Sequence, residues 1–267
     1  MSNAAFRFGG IARLYGKPAL ERLQKSHAMV IGVGGVGSWT VEALARTGVG
    51  RITLVDLDEV CVSNINRQSP AFDSTVGQAK VEIMARRIQD INPQCQVDVR
   101  LQFFTADTAN ELLGGEDSTG SIDVVIDAID AVGNKVLLIH ECHRRKLPLV
   151  VCGGAGGRRD PTQVRVSDLS QVTHDRLLSE VRKRLRQEHG FPRENKKFKI
   201  PAVHSAEPPF IPAKEETECA IADAPAPSME GMRLNCDWGY GSATFVTGTF
   251  GFAAAAQAVA LILAHPA

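Results

Sequence analysis

The sequence predicts an α/β fold with a doubly wound sheet, mainly parallel in its N-terminal part, followed by an irregular C-terminal third and a C-terminal apolar helix. Three observations lead to this prediction. Short apolar runs alternate with segments of helical hydrophobic spacing as far as residue 157. A glycine-rich turn joins the first run to the first helical segment, and residues 243–263 carry no charge. This combination is typical of a Rossmann-like sheet.

Each element is assigned from its own local signal. Continuous apolar runs predict buried parallel strands, amphipathic spacing predicts helices, and an Asn-Pro pair ends the second helix. The predicted strands are 28–32, 51–56, 96–100, 122–127 and 148–153, with an exposed strand at 163–168; the predicted helices are 38–47, 77–92, 107–113, 134–146 and 175–189. Residues 191–232 are proline-rich and irregular. We expect a single domain, with a nucleotide-binding part at 1–157 and a substrate and dimer part at 158–267.

Composition excludes several classes of protein. The 267 residues include 30 basic and 30 acidic side chains, so the formal net charge is zero and a polyanion site requires local clustering. The six cysteines form no CxxC pair, which argues against zinc and thioredoxin-like motifs. Residues 1–10 lack the pattern of a secretory signal, and we expect reduced thiols and a cytoplasmic location.

The uncharged segment 243–263 leaves two interpretations open. Its 21 residues are enough to span a bilayer. It is rich in alanine, glycine and threonine, of which alanine and glycine insert weakly, and it has no basic flank. A helix buried on the sheet or at a dimer interface is the favoured interpretation. Membrane association through this segment is the alternative.

The glycine-rich turn predicts a nucleotide site. Gly32, Gly34 and Gly37 form GxGxxG between a strand and a helix, and Gly35 lies in the same turn. Glycines let the backbone approach phosphates, and the helix N-terminus offers free N–H groups. Asp56 ends the next strand, where it is placed to accept hydrogen bonds from ribose hydroxyls. These features fit an NAD enzyme as well as an ATP enzyme.

The polar segment after that strand favours ATP. A nicotinamide needs an apolar slot, whereas this segment supplies two cations among polar groups, namely Asp58, Asn64, Arg67, Gln68 and Lys80. The guanidinium of Arg67 suits phosphate oxygens in a bidentate contact, and the ammonium of Lys80 acts as a point charge. A polar loop with a solvated lysine is the structural alternative.

Two aspartates, Asp127 and Asp130, stand at the carboxyl end of the fourth strand. Ligands of doubly wound sheets bind beyond the carboxyl ends of the strands. A carboxylate at this place is suited to hold Mg²⁺ against ATP phosphates, with Asp130 as the predicted ligand. The alternative for Asp130 is capping of the following helix.

In order and spacing, the segments GVGGVGS, LVDLDEV, SNINRQ, GQAK and the Asp-x-x-Asp loop resemble the ubiquitin-activating superfamily between about residues 23 and 156. That superfamily includes the adenylyltransferases of molybdopterin and thiamine biosynthesis. The resemblance implies that Asp56 binds ribose, Asn64 and Arg67 contact phosphates, Lys80 neutralises them and Asp130 works with Mg²⁺. The residues expected to carry the reaction are therefore Arg67, Lys80 and Asp130.

Three further segments, 7–16, 153–163 and 241–252, resemble one subfamily, the tRNA threonylcarbamoyladenosine dehydratases. Unlike the molybdopterin and thiamine types, the chain has no pair of CxxC motifs, and Arg13 is the nearest candidate for the arginine that reaches the partner's ATP in those enzymes. The resemblance implies adenylation of the threonine carboxylate of a modified adenosine beside the anticodon. A nitrogen of the same modification then closes a ring and expels AMP.

The cofactors expected on this resemblance are ATP and Mg²⁺, without zinc, and a structural monovalent cation is a further candidate. The expected partners are tRNA carrying threonylcarbamoyladenosine and a second copy in a homodimer. A cysteine desulfurase and its sulfur acceptor are a further candidate pair.

Residues in the C-terminal half supply candidates for tRNA contact and thiol chemistry. Basic side chains cluster in 182–199, where the predicted phosphate contacts are Arg182, Lys183, Arg184, Arg186, Lys196 and Lys197. A charged helix with a solvated loop is the alternative for this stretch. Cys236 is a candidate reactive thiol, and a structural thiol is the favoured interpretation. Trp238 and Tyr240 are suited to stack on an exposed base or to fill the core.

The sequence leaves two other functions open. One is an adenylyltransferase that activates the C-terminus of a ubiquitin-like sulfur-carrier protein. The other is a non-catalytic nucleotide-binding scaffold in a sulfur-transfer system. An NAD dehydrogenase is disfavoured by Arg67, Lys80 and Asp130.

Overall fold

The computed structural model describes residues 6–114, 122–193, 196–210 and 240–264. Its strands are β1 (His27–Ile31), β2 (Arg51–Val55), β3 (Gln96–Arg100), β4 (Val124–Asp127), β5 (Leu149–Cys152), β6 (Val164–Asp168) and β7 (Pro201–Ser205). They form one seven-stranded sheet in the order β3-β2-β1-β4-β5-β7-β6. Every neighbouring pair is parallel except β6 and β7, which are antiparallel. The predicted fold class is confirmed.

Helices cover both faces of this sheet. They are α1 (Gly9–Tyr15), α2 (Lys17–Lys25), α3 (Gly37–Thr47), α4 (Lys80–Ile91), α5 (Ala109–Leu112), α6 (Val132–Arg145), α7 (Arg176–Glu188) and α8 (Thr244–Ala264). Alternate residues of each central strand pack into opposite layers. Val30 joins the layer with α3, α4 and α8, whereas Met29 and Ile31 join the layer with α5, α6 and α7. Because both faces are buried, the strands are continuous apolar runs in the sequence.

The order of the strands places a crevice at one edge of the sheet. From β1 the chain moves outward through β2 and β3, and then returns to add β4 and β5 on the other side of β1. The connections therefore diverge at the carboxyl ends of β1 and β4. In doubly wound sheets this point of divergence is where ligands bind.

Three parts of the fold differ from the sequence prediction. β7 lies within the segment predicted to be irregular, because its short apolar stretch becomes a strand only through pairing with β5 and β6. The helices α1 and α2 were not predicted. α4 begins at Lys80 rather than at residue 77, because Ala79 pairs with Glu59 in an isolated antiparallel bridge and is therefore extended.

The C-terminal helix α8 packs on the sheet and on α3. Its buried face follows helical spacing, through Val246, Phe250, Ala254, Ala258 and Ile262. By length and composition alone the 21-residue helix could cross a membrane, and 56% of its most apolar window is buried inside the protein. This packing is that of a core helix, in agreement with the favoured interpretation of residues 243–263.

Candidate nucleotide-binding site

A cavity of about 460 Å³ lies at the crevice between the ends of β1 and β4. We call it the switch-point cavity. Loops that follow β1, β2, β4 and β5 line it, together with Lys80 of α4 and Thr247 of α8. Most residues predicted to bind the nucleotide meet here, namely Gly32, Gly34, Gly35, Asp56, Asp58, Asn64, Arg67, Gln68, Lys80 and Asp130. Gly37 and Asp127 are not among the lining residues.

The glycine turn lies against the loop after β4. Gly32 has a φ of +91°, and a Cβ there would lie 2.7 Å from the carbonyl oxygen of Ala128. A Cβ on Gly37 would lie 1.8 Å from the carbonyl oxygen of Gly32. Gly34 and Gly35 line the cavity together with Gly32, and neither has a positive φ. The first and last glycines thus allow the turn to close, and the middle ones form the surface that a ligand would meet.

The carboxylate of Asp56 joins two loops of the site. It accepts hydrogen bonds from the backbone N–H groups of Val33, at 2.6 Å, and Asp58, at 2.9 Å. Asp56 is buried, and burial raises the pKa of its carboxyl above the ordinary value, against these hydrogen bonds and the charge of Lys80. Asp56 therefore orders the glycine turn from the end of β2 and keeps acceptor capacity toward the cavity.

Replacing Asp56 with alanine should weaken ATP binding by about 10- to 100-fold, because one charged acceptor for a ribose is lost and two backbone donors lose their partner. Isothermal titration calorimetry measures this change. The exposed Asp73, outside the cavity lining, supplies a matched control in Asp73→Ala. Equal ATP affinity in the two variants would show that Asp56 does not contribute to nucleotide binding.

Two charged side chains that act on Asp56, those of Lys80 and Asp58, form an ion pair. The ammonium of Lys80 lies 3.0 Å from a carboxylate oxygen of Asp58. The Lys80 side chain is 6% exposed and that of Asp58 45% exposed. Lys80 thus reaches the cavity as half of an ion pair rather than as the solvated lysine of the alternative interpretation.

The segment after β2 is held by its own polar groups and by two helices. Asn64 accepts the N–H of Cys61 at 3.0 Å, and Arg67 donates to the carbonyl of Ser63 at 2.6 Å. The carbonyl of Arg67 accepts from Trp39 of α3 and Thr247 of α8. Gln68 is buried, and its side-chain carbonyl has no hydrogen-bond partner among the described residues. Hydrogen bonds therefore hold this segment against α3 and α8, and Gln68, with its unpartnered carbonyl oxygen, is among the residues that line the cavity.

The two aspartates at the carboxyl end of β4, Asp127 within the strand and Asp130 after it, have different environments. Asp127 is fully buried, and one of its oxygens lies 2.8 Å from the ammonium of Lys135, which is also fully buried. The same ammonium donates to the carbonyl of Ile129 at 2.9 Å. Asp130 is exposed and lines the cavity. Asp127, which was predicted to bind the cofactor, therefore lies outside the cavity lining, and its buried ion pair holds the loop that carries Asp130. The N-terminal cap of α6 is Ala131, so Asp130 does not occupy the capping position.

The wall that follows β5 was assigned no place in this cavity from the sequence. This wall consists of the loop after β5, the start of α7 and Tyr240, and its residues are Gly153, Gly154, Ala155, Gly156, Arg158, Asp175, Arg176, Leu177 and Tyr240. Asp175 accepts the backbone N–H of Gly154 and that of Leu178, both at 2.9 Å, and so ties α7 to the loop. An aspartate directly before a helix is a capping signal, but only the fold shows that it also reaches Gly154.

The predicted basic stretch is divided by the structure. Lys183 and Arg184 pair with Glu180 and Glu188 at 3.5 and 2.8 Å. Arg186 donates to the carbonyl of Pro192 and lies over the ring of Phe198. Arg182 is partly buried, whereas Lys196 and Lys197 are exposed. The loop lysines are therefore better suited to phosphate contact than the helix arginines.

Several predictions concern residues outside the described part of the chain. Cys236 and Trp238 lie there. Within the described ranges, Cys61 is exposed and Cys95, Cys142 and Cys152 are buried thiols. No group of three or more histidine, cysteine or acidic side chains that could hold a metal ion occurs in those ranges.

The fold and the cavity together define a doubly wound α/β protein with a nucleotide site at its switch point. The glycine turn, the acidic end of β2 and the cations around them supply the groups of that site. The chain belongs to the ThiF family, whose family model matches residues 10–267. This membership confirms the family expected from the motifs.

Similar proteins match over nearly the whole chain. The tRNA threonylcarbamoyladenosine dehydratase of Escherichia coli strain K12 is 47% identical, over 98% of this chain and 95% of that protein. The structure of the E. coli tRNA N6-threonylcarbamoyladenosine dehydratase, TcdA, in complex with ATP has a TM-score of 0.84 and 44% identity, over 98% of this chain and 96% of that one. Its complex with AMP has a TM-score of 0.85 and 43% identity, with the same coverage.

Proposed function

We propose that the protein catalyses ATP-dependent dehydration of N6-threonylcarbamoyladenosine in tRNA, beside the anticodon. The observation that carries this proposal is the switch-point cavity, where the glycine turn, Asp56 and the cations of the nucleotide side face a second wall formed after β5. Dehydratases of this substrate share the chain's fold over nearly its full length.

ATP is the nucleotide that the site suits. Gly34 and Gly35 expose backbone at the start of α3, where N–H groups favour phosphate. Asp56 offers carboxylate oxygens to a ribose, and Gln68 offers an unpartnered buried acceptor. Arg67 and Lys80 supply positive charge. The solved relative binds both ATP and AMP. These are the nucleotide that the proposed reaction consumes and the nucleotide that it releases.

The reaction has two steps. A carboxylate oxygen of the substrate's threonine attacks the α-phosphorus of ATP, a P–O bond to pyrophosphate breaks, and an acyl adenylate forms. A nitrogen of the same modification then attacks the activated carbonyl carbon, loses its proton and expels AMP. The net change in the substrate is ring closure with loss of one water. No enzyme nucleophile is needed, because the attacking nitrogen is already tethered and its effective concentration is high.

The residues of the site fit Mg²⁺ as a companion of ATP. Magnesium is commonly held by one or two carboxylates, with phosphates and water completing its shell, so a cluster of protein ligands is not required. Asp130 is the exposed carboxylate on the rim of the cavity, fixed to the loop that Lys135 holds. When bound, the ion would neutralise negative charge on the phosphates. A structural monovalent cation stays a sequence-based prediction.

The wider assembly is part of the same proposal. A homodimer is supported by the exposed rings of Phe245 and Phe252 on α8, which are 59% and 51% exposed. Arg13 is exposed on α1 and does not line the cavity of its own chain, so a role at ATP would require a second copy.

Exposed Lys196 and Lys197 are the proposed tRNA backbone contacts. Partnership with a cysteine desulfurase and its acceptor, and a cytoplasmic location, are retained from the sequence.

The test is conversion of modified tRNA by the purified protein. With ATP and Mg²⁺, the modified nucleoside should become lighter by one water in mass spectrometry, with one AMP released per product. Asp130→Ala should lower kcat by about a hundredfold or more, because phosphate charge is no longer compensated. Asp107→Ala is the matched control, since Asp107 is exposed outside the cavity lining.

Other outcomes would support the alternatives. Pyrophosphate exchange stimulated by a ubiquitin-like carrier, but not by modified tRNA, would indicate a carrier adenylyltransferase. ATP binding without AMP release in the presence of either substrate would indicate a scaffold. Wild-type turnover in Asp130→Ala would remove Asp130 from the metal site.

A further inference from the structure

Arg158 is a buried cation in the wall of the switch-point cavity that no part of the nucleotide site uses. It follows β5 and lines the cavity, yet the residue is only 4% exposed. One terminal nitrogen donates to the carbonyl of His174. The other, Nη1, and the Nε nitrogen are buried with no hydrogen-bond partner among the described residues.

The nearby carboxylates are already bound to the backbone. Asp175 accepts from the N–H groups of Gly154 and Leu178. Glu207 accepts from those of Arg159 and Asp160, both at 3.0 Å. Both acidic residues lower the cost of a positive charge at Arg158 from a distance. Neither supplies the direct hydrogen bonds that the guanidinium lacks.

A buried guanidinium that lacks hydrogen-bond acceptors is stabilised by a bound anion. Burial without hydrogen bonds is costly for a charged group. Burial lowers the pKa of Arg158, but arginine stays protonated in proteins because its ordinary pKa is so high. A bound carboxylate or phosphate would supply the missing acceptors through strong, charge-assisted hydrogen bonds.

The position of Arg158 favours the second reactant over the nucleotide. β4 separates β5 from β1, and the ribose-binding Asp56 lies still farther along the sheet at the end of β2. The predicted phosphate and metal groups lie on the loops after β1, β2 and β4. Arg158 therefore lines the cavity from the side opposite to Asp56, on the far side of the loop that carries Asp130.

We propose that Arg158 binds the threonine carboxylate of the substrate and holds it beside ATP for attack on the α-phosphate, an inference that rests on the proposed function. A positioned carboxylate is what the first chemical step requires, since orientation of two reactants lowers the barrier of their reaction. The other source of an anion at this place is a phosphate of ATP or of the tRNA backbone, and the experiment distinguishes these sources.

The experiment compares three synthetic anticodon stem-loops that carry N6-threonylcarbamoyladenosine, its methyl ester or unmodified adenosine. Their dissociation constants are measured by fluorescence anisotropy for the wild type, Arg158→Gln, Arg158→Lys and Arg159→Gln. Arg159 makes a matched control because it is exposed, stacks on the ring of Phe210 at 3.7 Å and does not line the cavity. Steady-state kinetics with modified tRNA and ATP are measured in parallel, and circular dichroism checks the fold of each variant.

The wild type should bind the free acid about 10- to 100-fold more tightly than the ester, and Arg158→Gln should lose this preference. kcat/KM for modified tRNA should fall by a similar factor, while the KM for ATP changes by less than about twofold. Arg158→Lys should retain part of the preference, because it keeps the charge without the planar fork. Arg159→Gln should keep all of it, since any loss of general phosphate affinity lowers binding of the three stem-loops equally.

Three results would overturn the inference. One is an unchanged preference for the acid in Arg158→Gln. Another is a raised KM for ATP with an unchanged acid-to-ester ratio, which would assign Arg158 to a phosphate of ATP. Equal weakening of all three stem-loops would likewise reject it in favour of the tRNA backbone. Failure of the proposed function has a different signature, because the wild type itself would then neither convert modified tRNA nor distinguish the stem-loops.

Discussion

Replacing Lys135 with methionine should lower the free energy of unfolding by about 3–5 kcal/mol, because it leaves the carboxylate of Asp127 buried without its counter-ion. Both side chains are fully buried, and they are 2.8 Å apart. The second oxygen of Asp127 has no partner among the described residues, so nothing nearby in those ranges replaces the lost ammonium. Urea denaturation followed by circular dichroism measures the change.

The loss of stability in Lys135→Met should depend on pH. Burial raises the pKa of Asp127, and the charge of Lys135 opposes this. Without Lys135 the folded state holds the carboxyl proton still more tightly than the unfolded state does. The variant therefore regains stability as the pH is lowered and loses it as the pH rises through the raised pKa. A destabilisation that is equal at pH 8 and pH 5 would contradict a buried, uncompensated carboxylate.

The double variant Lys135→Met with Asp127→Asn is the control for this prediction. Removal of both charges should recover about half or more of the lost stability, since a neutral pair has no ionic desolvation cost. If the double variant is as unstable as Lys135→Met, the loss comes from packing around residue 135. Both variants also test the loop after β4, because the ammonium of Lys135 holds the carbonyl of Ile129 directly before Asp130.

Replacing Gly37 with alanine should lower ATP affinity by about a hundredfold, the order expected when a binding group is displaced by roughly an ångström. The new Cβ would lie 1.8 Å from the carbonyl oxygen of Gly32 and 3.3 Å from the Cβ of Ala128. The glycine turn has to move away from the start of α3 to relieve this contact. Because Gly37 itself is outside the cavity lining, the effect reaches ATP through the shape of the turn.

Gly133→Ala is the matched control for Gly37→Ala. It introduces the same methyl group near the start of α6, where the nearest atom is an arginine nitrogen of Arg184 at 3.8 Å, an ordinary contact distance. We expect unchanged ATP affinity and a gain of about 0.5–1 kcal/mol in stability, since alanine favours a helix over glycine. Calorimetry of ATP binding and thermal unfolding of both variants provide the comparison. Normal ATP affinity in Gly37→Ala would show that the turn tolerates displacement.

Much of the nucleotide side of the site was predictable from linear patterns. Gly32, Gly34 and Asp56 stand at strand ends whose apolar runs are unmistakable in the sequence, so their meeting at one edge follows from a parallel sheet. Arg67 and Lys80 could also be predicted, because they follow β2 within one connection. Residues close to a strand end along the chain stay close to it in the fold.

Two aspartates show where such reasoning reaches its limit. Asp127 and Asp130 occupy the same loop in the sequence, and both suit a metal-bound nucleotide. In the fold, Asp127 points into the layer of α6, where Lys135 lies eight residues later, and Asp130 is on the rim of the cavity. Alternation of side chains along a strand sends its last residue to one face of the sheet. Which helix covers that face, and so which groups Asp127 meets, is decided by the tertiary structure.

The sequence by itself determined the doubly wound sheet, the glycine turn and the place of Asp56 at a strand end, because periodicity and short-range spacing encode them, and the resemblance of its motifs identified the family. The tertiary structure alone decided the place of β7, the burial of Asp127 and the second wall of the cavity, where Arg158 and Asp175 meet the loop after β5. The physical reason is that these contacts join residues that are far apart in the sequence. A strand of five residues is stabilised by its neighbours, and a buried charge is assigned its role by groups that the fold brings from distant parts of the chain.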